Sequence, residues 1–255
     1  MPYRDNNQVT GERRVNARAA AAAAKLRDRA GGLDLGAPVA IRVNPRARRI
    51  SLRVDAATRT IELVLPHGAA AEHGVRFLDT HRGWIAARLE ALPPPIRFED
   101  GAVVPVLGRP HRIRHHNDHA VPPVAIGDSE ILVRGDPAFI ARRVRDHLVM
   151  LARRELGRRA RASAALIGRN VARITVRDTK SRWGSCSSTG HLSFSWRLVF
   201  APEAVIDYVV AHEVAHLAEM NHGPRFWRLV ATLVGDHAGP RGWLRRHRNR
   251  LLCYG

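Results

Sequence analysis

The segment His212-Glu213-Val214-Ala215-His216, followed by His222, constrains the fold of this chain more than any other feature. Two histidines four positions apart on a helix project from one face, about one turn apart, so both imidazoles can reach one metal ion. Glu213 directly follows the first histidine, where its carboxylate can address a water at the metal without being a ligand. The pattern therefore predicts a helix that carries a catalytic zinc site.

The third zinc ligand is expected from the turn after this helix. Asn221-His222-Gly223-Pro224 predicts a helix end and a new helix start, because Asn and Gly tolerate left-handed backbone and proline opens a helix more readily than it continues one. His222 would reach back from this turn toward the metal. Glu219, about one helical turn beyond His216, is the rival ligand, and we favour His222. Three protein ligands leave a fourth position for water, which distinguishes a catalytic zinc from a closed structural one.

Three stretches beyond this motif carry a family resemblance. Residues 180–187 (KSRWGSCS), 195–198 (SWRL) and 212–227 (HEVAHL to NHGPRFW) occur in this order. Together they resemble the YgjP-like metal-dependent hydrolases, which are zincin-type metallopeptidase domains related to the WLM and SprT-like groups. The resemblance implies that His212, His216 and His222 are the zinc ligands and that Glu213 is the general base. Ser195 departs from the family pattern, which has asparagine before the Trp-Arg-Leu run.

The resemblance implies a zinc-dependent hydrolase with Zn²⁺ as cofactor, and a metallopeptidase acting on polypeptide is the favoured function. Nucleoside triphosphate hydrolysis at the same metal site is the alternative suggested by the arginine surplus. A SprT-like, nucleic-acid-associated protease is a third. The strand at residues 192–198 is expected to be the sheet edge that binds an extended peptide. Tyr208, one turn before His212, is expected to pack rather than to assist the reaction.

The charge balance is strongly basic. The chain of 255 residues has 42 basic and 23 acidic residues, a formal net charge of +19, and Lys25 and Lys180 are its only lysines. Such a surface attracts polyanions at low salt. Since no basic motif interleaved with aromatic residues indicates a recognised nucleic-acid fold, nonspecific nucleic-acid binding through the arginines is expected, beside a polypeptide or nucleotide substrate.

Cysteine content and hydropathy predict the compartment. Cys186 and Cys253 are too few for a disulfide framework, which indicates a reducing environment. No apolar run has the length of a membrane span, and the N-terminus lacks a secretory signal pattern. We therefore expect a cytoplasmic protein without a membrane partner. Cys186 is expected to pack near the site rather than to act as a nucleophile.

Hydrophobic periodicity predicts the order of helices and strands. Alternating apolar residues in 39–65 predict strands, and 69–92 reads as one helix closed by three prolines. Short strands are expected around 103–107, 111–114 and 131–133. Asp136-Pro137 predicts the start of a long helix to about residue 165, whose arginine face, Arg159 included, is expected in solvent.

The predicted fold class is α+β. It is a zincin-like metallopeptidase domain with an H-E-x-x-H active-site helix, preceded by a smaller β-rich region. Three parts are expected: a flexible basic arm over residues 1–36, a β-rich N-terminal region with one helix over 37–135, and a zinc metallohydrolase domain over 136–255. Oligomeric state and natural substrate stay open at this stage.

Overall fold

The computed structural model describes residues 32–117 and 122–255. Helices and small sheets alternate along these residues, which confirms the α+β class. Residues 1–31, most of the expected basic arm, lie outside the described residues. Contacts between Cα atoms divide the chain into two compact units, one ending at Pro93 and the other spanning Pro94–Gly255.

The first unit contains a three-stranded sheet. Its strands are β1 (Val39–Asn44), β2 (Ser51–Asp55) and β3 (Thr60–Pro66), in the order β1-β3-β2. The central strand β3 pairs parallel with β1 and antiparallel with β2. Ile61, Leu63 and Leu65 alternate on its buried face, as the period of two predicts.

Two consecutive helices follow this sheet, where the sequence predicted one. They are α1 (Ala71–Thr80) and α2 (Arg82–Glu90). The division falls at His81, whose backbone (φ −101°, ψ 13°) departs from helical geometry while its Nδ1 contacts the carbonyl oxygen of Phe77 at 2.7 Å. A side chain that bonds a nearby carbonyl in this way competes with the regular ladder of the helix.

The second unit begins with a four-stranded sheet. Its strands are β4 (Val103–Val106), β5 (Arg109–His116), β6 (Val124–Ile126) and β7 (Glu130–Arg134), in the order β4-β5-β7-β6, and β6 was not predicted. The expected boundary after residue 135 differs from the division observed at Pro93. Sheet residues such as Val104, Ile113 and Val133 share one hydrophobic core with the helices that follow, so the sheet belongs to the second unit.

The long helix α3 (Ile140–Leu166) crosses this core. A 3₁₀ turn precedes it, and the Asp136 carboxylate accepts a hydrogen bond from the backbone N–H of Ala138 at 2.9 Å, as expected of a capping residue. The apolar residues of one helix face are buried, namely Ile140, Val144, Leu148, Leu151 and Leu156. Arg159, predicted on the solvent face, is only 9% exposed. Its guanidinium donates to the carboxylates of Glu203 at 2.8 Å and Asp207 at 2.5 Å, which explains its burial.

A second three-stranded sheet follows α3. It contains β8 (Arg173–Arg177), β9 (Gly184–Cys186) and β10 (His191–Ser195), in the order β8-β10-β9. β8 and β10 run parallel, and β9, in the loop between them, pairs antiparallel with β10. β10 is therefore the central strand and has no free edge for a peptide. Within the described residues, the outer strands β8 and β9 each have a free edge, and β9 is the one whose Gly184 lies against Glu213.

A 3₁₀ turn at Trp196–Phe200 leads from β10 into three helices: α4 (Glu203–Ala215), α5 (Pro224–Val234) and α6 (Ala238–Leu252). Pro224 occupies the start of α5, as predicted. Among the described residues, no helix combines the length and the apolar composition that a membrane crossing requires.

Arg197 fixes the loop before β9 to the C-terminal residues. This side chain is buried, its Nε donates to Asp178 at 2.9 Å, and its Nη1 donates to the carbonyl oxygens of Leu252 and Tyr254. Arg145 lies 3.3 Å from the same carboxylate. Burial raises the pKa of Asp178, but the hydrogen bond and charge of Arg197, together with the charge of Arg145, outweigh burial and hold this pKa below its ordinary value of 3.8.

Asp178→Asn is therefore expected to lower the free energy of unfolding at pH 7 by about 1–2 kcal/mol. A carboxyl whose pKa is depressed in the folded state contributes stability above its unfolded pKa and loses it as the pH falls through the folded pKa. The difference in unfolding free energy from the wild type should thus be constant above about pH 4 and should disappear as the pH falls further. Urea unfolding at several pH values measures this, with Asp146→Asn, on the exposed side of α3, as the charge-matched control that should show almost no difference.

Candidate metal centre

The helix α4 that carries the predicted motif is buried on nearly all sides. It begins after Pro202 with Glu203 in its first turn, where a carboxylate interacts favourably with the helix dipole. Its buried residues are Val205, Ile206, Tyr208, Val209, Val210, Ala211, Glu213, Val214 and Ala215. A helix that is apolar around most of its circumference is held by packing from several directions, so its few polar side chains have fixed positions.

The three predicted histidines converge. α4 ends at Ala215, and His216 caps it with near-helical backbone (φ −66°, ψ −15°), so His212 and His216 remain one turn apart. The turn before Pro224 brings His222 back to them. One nitrogen from each of the three imidazoles lies within 4.8 Å of the others. The Nε2 atoms of His212 and His222 are 3.1 Å apart.

These distances fit a divalent metal. Two nitrogen ligands at about 2.0–2.1 Å from a tetrahedral zinc are about 3.3 Å apart, close to the 3.1 Å between His212 and His222. Burial, followed by the neighbouring imidazoles of His216 and His222 and the charge of Arg241, lowers the pKa of His212 to about 4. Burial likewise lowers the pKa of His216. Neutral imidazoles keep their lone pairs for a metal, and such a nitrogen set suits zinc.

Neighbouring groups hold the three rings in place. The Nδ1 of His216 lies 3.1 Å from the carbonyl oxygen of Glu219, and donation along this contact leaves the Nε2 lone pair for a metal. Glu219 thus contacts His216 through its backbone oxygen. Among the described residues, the group that could hold a metal consists of His212, His216 and His222 and does not include the Glu219 carboxylate. The fully buried ring of Phe226 lies 4.6–4.9 Å from all three imidazoles and supports them from behind.

Glu213 is buried against β9. Its side chain faces Gly184, where an added Cβ would lie 2.5 Å from both Cγ and Oε1 of the carboxylate side chain. Only glycine permits this approach. Burial raises the pKa of Glu213 to about 7, partly opposed by the charge of Arg182. A divalent cation at the imidazoles would lower this pKa again through its own charge.

A cavity of about 230 Å³ opens onto this centre. His212, Glu213 and Tyr208 line it, and the ring centroids of Tyr208 and His212 are 6.0 Å apart. Sequence reasoning singled out these three but missed four others, namely Arg182, Trp183, Gly184 and Leu244. The first three of these belong to the RWGSCS stretch, which was read only as a mark of resemblance. Leu244 comes from α6, and nothing in its sequence context points to the site.

Two further residues of the stretches that carry the resemblance, Cys186 and Ser195, lie in the protein interior or close to it. Burial and the charge of Glu213 raise the pKa of the Cys186 thiol to about 11. The thiol therefore stays protonated at neutral pH, which agrees with a packing role and not with a nucleophile. Ser195 is fully buried, and its hydroxyl donates to the carbonyl oxygen of Thr179 at 3.4 Å.

Comparison with known proteins finds a family match. A family model described as YgjP-like, metallopeptidase domain, matches residues 48–247. The chain belongs to the YgjP-like family. At the level of the family, this YgjP-like chain is a metal-dependent hydrolase of the metallopeptidase type, and the family implies a divalent metal. No curated protein and no solved structure matches it.

His222→Ala is expected to weaken zinc binding by at least about 100-fold, because even a group that only supports a ligand contributes 10- to 100-fold. Glu219→Ala should bind zinc almost as tightly as the wild type, since the contact with His216 uses the backbone oxygen. Competition against a chromophoric chelator measures both affinities. The reverse order would make the Glu219 carboxylate the third ligand.

Proposed function

We propose that this YgjP-like chain is a zinc-dependent metallopeptidase in which His212, His216 and His222 hold the metal and Glu213 is the general base. One observation carries the proposal: the buried Glu213 carboxylate lines the same cavity as His212, beside the converging imidazoles. Membership of a metallopeptidase family supports the same reaction class. Polypeptide is the proposed substrate and the cytoplasm the proposed location.

The residues of the cavity divide the work of hydrolysis. When bound, a divalent ion supplies Lewis acidity that polarises the scissile carbonyl and acidifies a nearby water. Glu213 accepts the proton of the attacking water and delivers it to the leaving amine. Burial raises the pKa of Glu213, which favours uptake of the proton, and a bound cation would oppose this rise and favour its return. Trp183 and Leu244 form the apolar wall that limits solvent around this transfer.

β9 is the proposed docking edge for an extended substrate. It ends its sheet, and none of the strands in the described part of the chain pairs with its outer edge. An added strand gains backbone hydrogen bonds whatever its sequence. Because Gly184 of β9 lies against Glu213, a substrate on this edge would pass beside the general base.

Nucleoside triphosphate hydrolysis is a second candidate. Arg182 lines the cavity that holds Glu213, and a guanidinium at this place could bind a phosphate group. A nucleic-acid-associated protease is a third, supported by the open surface around Met150 that Arg153, Arg154, Arg158 and Arg161 line on α3. Any polycation binds DNA in a salt-dependent way, so only DNA-stimulated hydrolysis would favour this candidate.

Glu213→Ala is expected to keep zinc and to lose turnover by about 100- to 10,000-fold, because proton transfer by a positioned side chain contributes this much. The measurement is hydrolysis of an unstructured protein and of a nucleoside triphosphate panel by zinc-loaded protein, in parallel. Peptide cleavage that depends on Glu213 supports the metallopeptidase. Phosphate release that depends on Glu213, without peptide cleavage, would replace it with the second candidate, and turnover retained by the variant would sink this mechanism.

Gly184→Ala should reduce peptide turnover by about 10- to 100-fold while zinc affinity stays near the wild-type value. The new methyl group would displace the Glu213 carboxylate, and a displacement of about 1 Å can cost about 100-fold. Gly83→Ala, in α2, is the matched control, because its Cβ would meet nothing within 4 Å. Equal activity of the two variants would show that Glu213 does not need the close approach.

A further inference from the structure

The sheet β8-β10-β9 has two faces of different chemistry. Toward the helices it presents apolar side chains, namely Ile174, Val176, Leu192 and Phe194, which pack in or against the core. The opposite face, which we call the outer face, presents polar side chains: Arg173, Thr175 and Arg177 of β8, His191 and Ser193 of β10, and Ser185 of β9. The register places Thr175, Ser193 and Ser185 in one row across the three strands. The outer face is therefore polar from one edge of the sheet to the other.

A cavity of about 360 Å³ lies on this outer face. Arg173, Arg177 and Arg182 line it together with several hydroxyl groups, and its described lining residues include no carboxylate. All three arginines are exposed. In the ranges 32–117 and 122–255, no carboxylate forms an ion pair with them, whereas Arg159 and Arg197 in the same unit each have acidic partners. Positive charge is thus concentrated here without an ion pair, although the charge of Arg182 also acts on the Glu213 carboxylate.

Arg182 connects the outer face to the cavity of the metal centre, because it lines both. The two cavities lie on either side of β9: Gly184 faces Glu213, and Ser185, the next residue, faces the outer cavity. Side chains of a strand alternate between the two faces of its sheet. A peptide added to the edge of β9 would therefore direct alternate side chains to the outer face.

We propose that the outer face is a subsite for acidic side chains of the substrate polypeptide. The proposal rests on the proposed peptidase function and names the class of sequence that it prefers. Ser185 and Ser193 are short, so they leave a trough that crosses β9 and β10 toward β8. Three strand spacings, about 14 Å, separate a substrate strand from β8, a distance that extended glutamate and arginine side chains cross by reaching toward each other.

The chemistry of the subsite selects by charge. Guanidinium groups bind carboxylates through paired hydrogen bonds, and hydroxyl groups add donors. A lysine or arginine of the substrate would meet like charge, which disfavours it. Because the arginines are exposed, the preference should be modest and should fall as salt screens it.

The test compares two fluorescent peptides of equal length that differ only at alternate positions. These positions hold glutamate in one peptide and glutamine in the other, and all other side chains are uncharged. Affinity for the zinc-loaded Glu213→Gln protein is measured by fluorescence anisotropy, so binding is seen without turnover. The glutamate peptide should bind about three- to tenfold more tightly at low salt, and the ratio should approach one at high salt.

Charge-matched variants locate the effect. Adding R173Q and R177Q to the E213Q protein should bring the affinity ratio close to one. Adding R153Q and R161Q instead removes the same charge from the exposed face of α3 and should leave the ratio unchanged. Equal affinity for the two peptides, or an equal loss in both double variants, would overturn the subsite.

Cleavage of the same peptides by the wild type separates this proposal from the peptidase function. A matching preference in kcat/KM supports both. Preferential binding without cleavage supports the subsite and overturns the peptidase. A competition experiment distinguishes the two ligands of the arginines. If a nucleoside triphosphate displaces the fluorescent glutamate peptide at a far lower concentration than unlabelled glutamate peptide does, the arginines bind phosphate, and the assignment to acidic side chains is overturned.

Discussion

The burial of α4 on nearly all sides is the constraint on which the rest of the site depends. Its valine, isoleucine and alanine side chains pack in one core with α3, with the 3₁₀ turn after β10 and with α5. Close packing of these side chains against their neighbours holds the helix in one orientation. His212 and Glu213 then face the cavity of the metal centre, and His216 and His222 complete the group. The geometry of the site is therefore set by packing before any metal binds.

Arginine has several physical roles in this chain. Arg159 and Arg197 are buried with acidic partners and connect elements that are distant in sequence: Arg159 ties α3 to the first turns of α4, and Arg197 ties the loop before β9 to the C-terminus. A planar guanidinium suits such positions, because it can donate to several acceptors at once. Exposed arginines such as Arg173 and Arg177 form no ion pair within the described residues, so their charge stays at the surface.

In the proposed function, the short strand β9 separates reaction chemistry from substrate preference. On one side, the absence of a side chain at Gly184 admits the Glu213 carboxylate. On the other, the small side chain of Ser185 opens a route to the arginines of the outer face. A three-residue strand can do both because successive residues of a strand point to opposite faces.

The sequence by itself determined the metal helix, the turn that presents His222, the family and most helices and strands. These follow from local rules: the spacing of histidines on a helix, the backbone preferences of Asn, Gly and Pro, and the period of apolar residues. Tertiary structure alone decided that Arg159 is buried and that Gly184 meets Glu213. It also decided that β10 is a central strand and β9 an edge strand, and that the sheet β4–β7 belongs to the second unit. Each of these depends on contacts between residues far apart in the chain. Periodicity indicates that a face is buried but not what covers it, and a strand as short as β9 has too few residues to show any period.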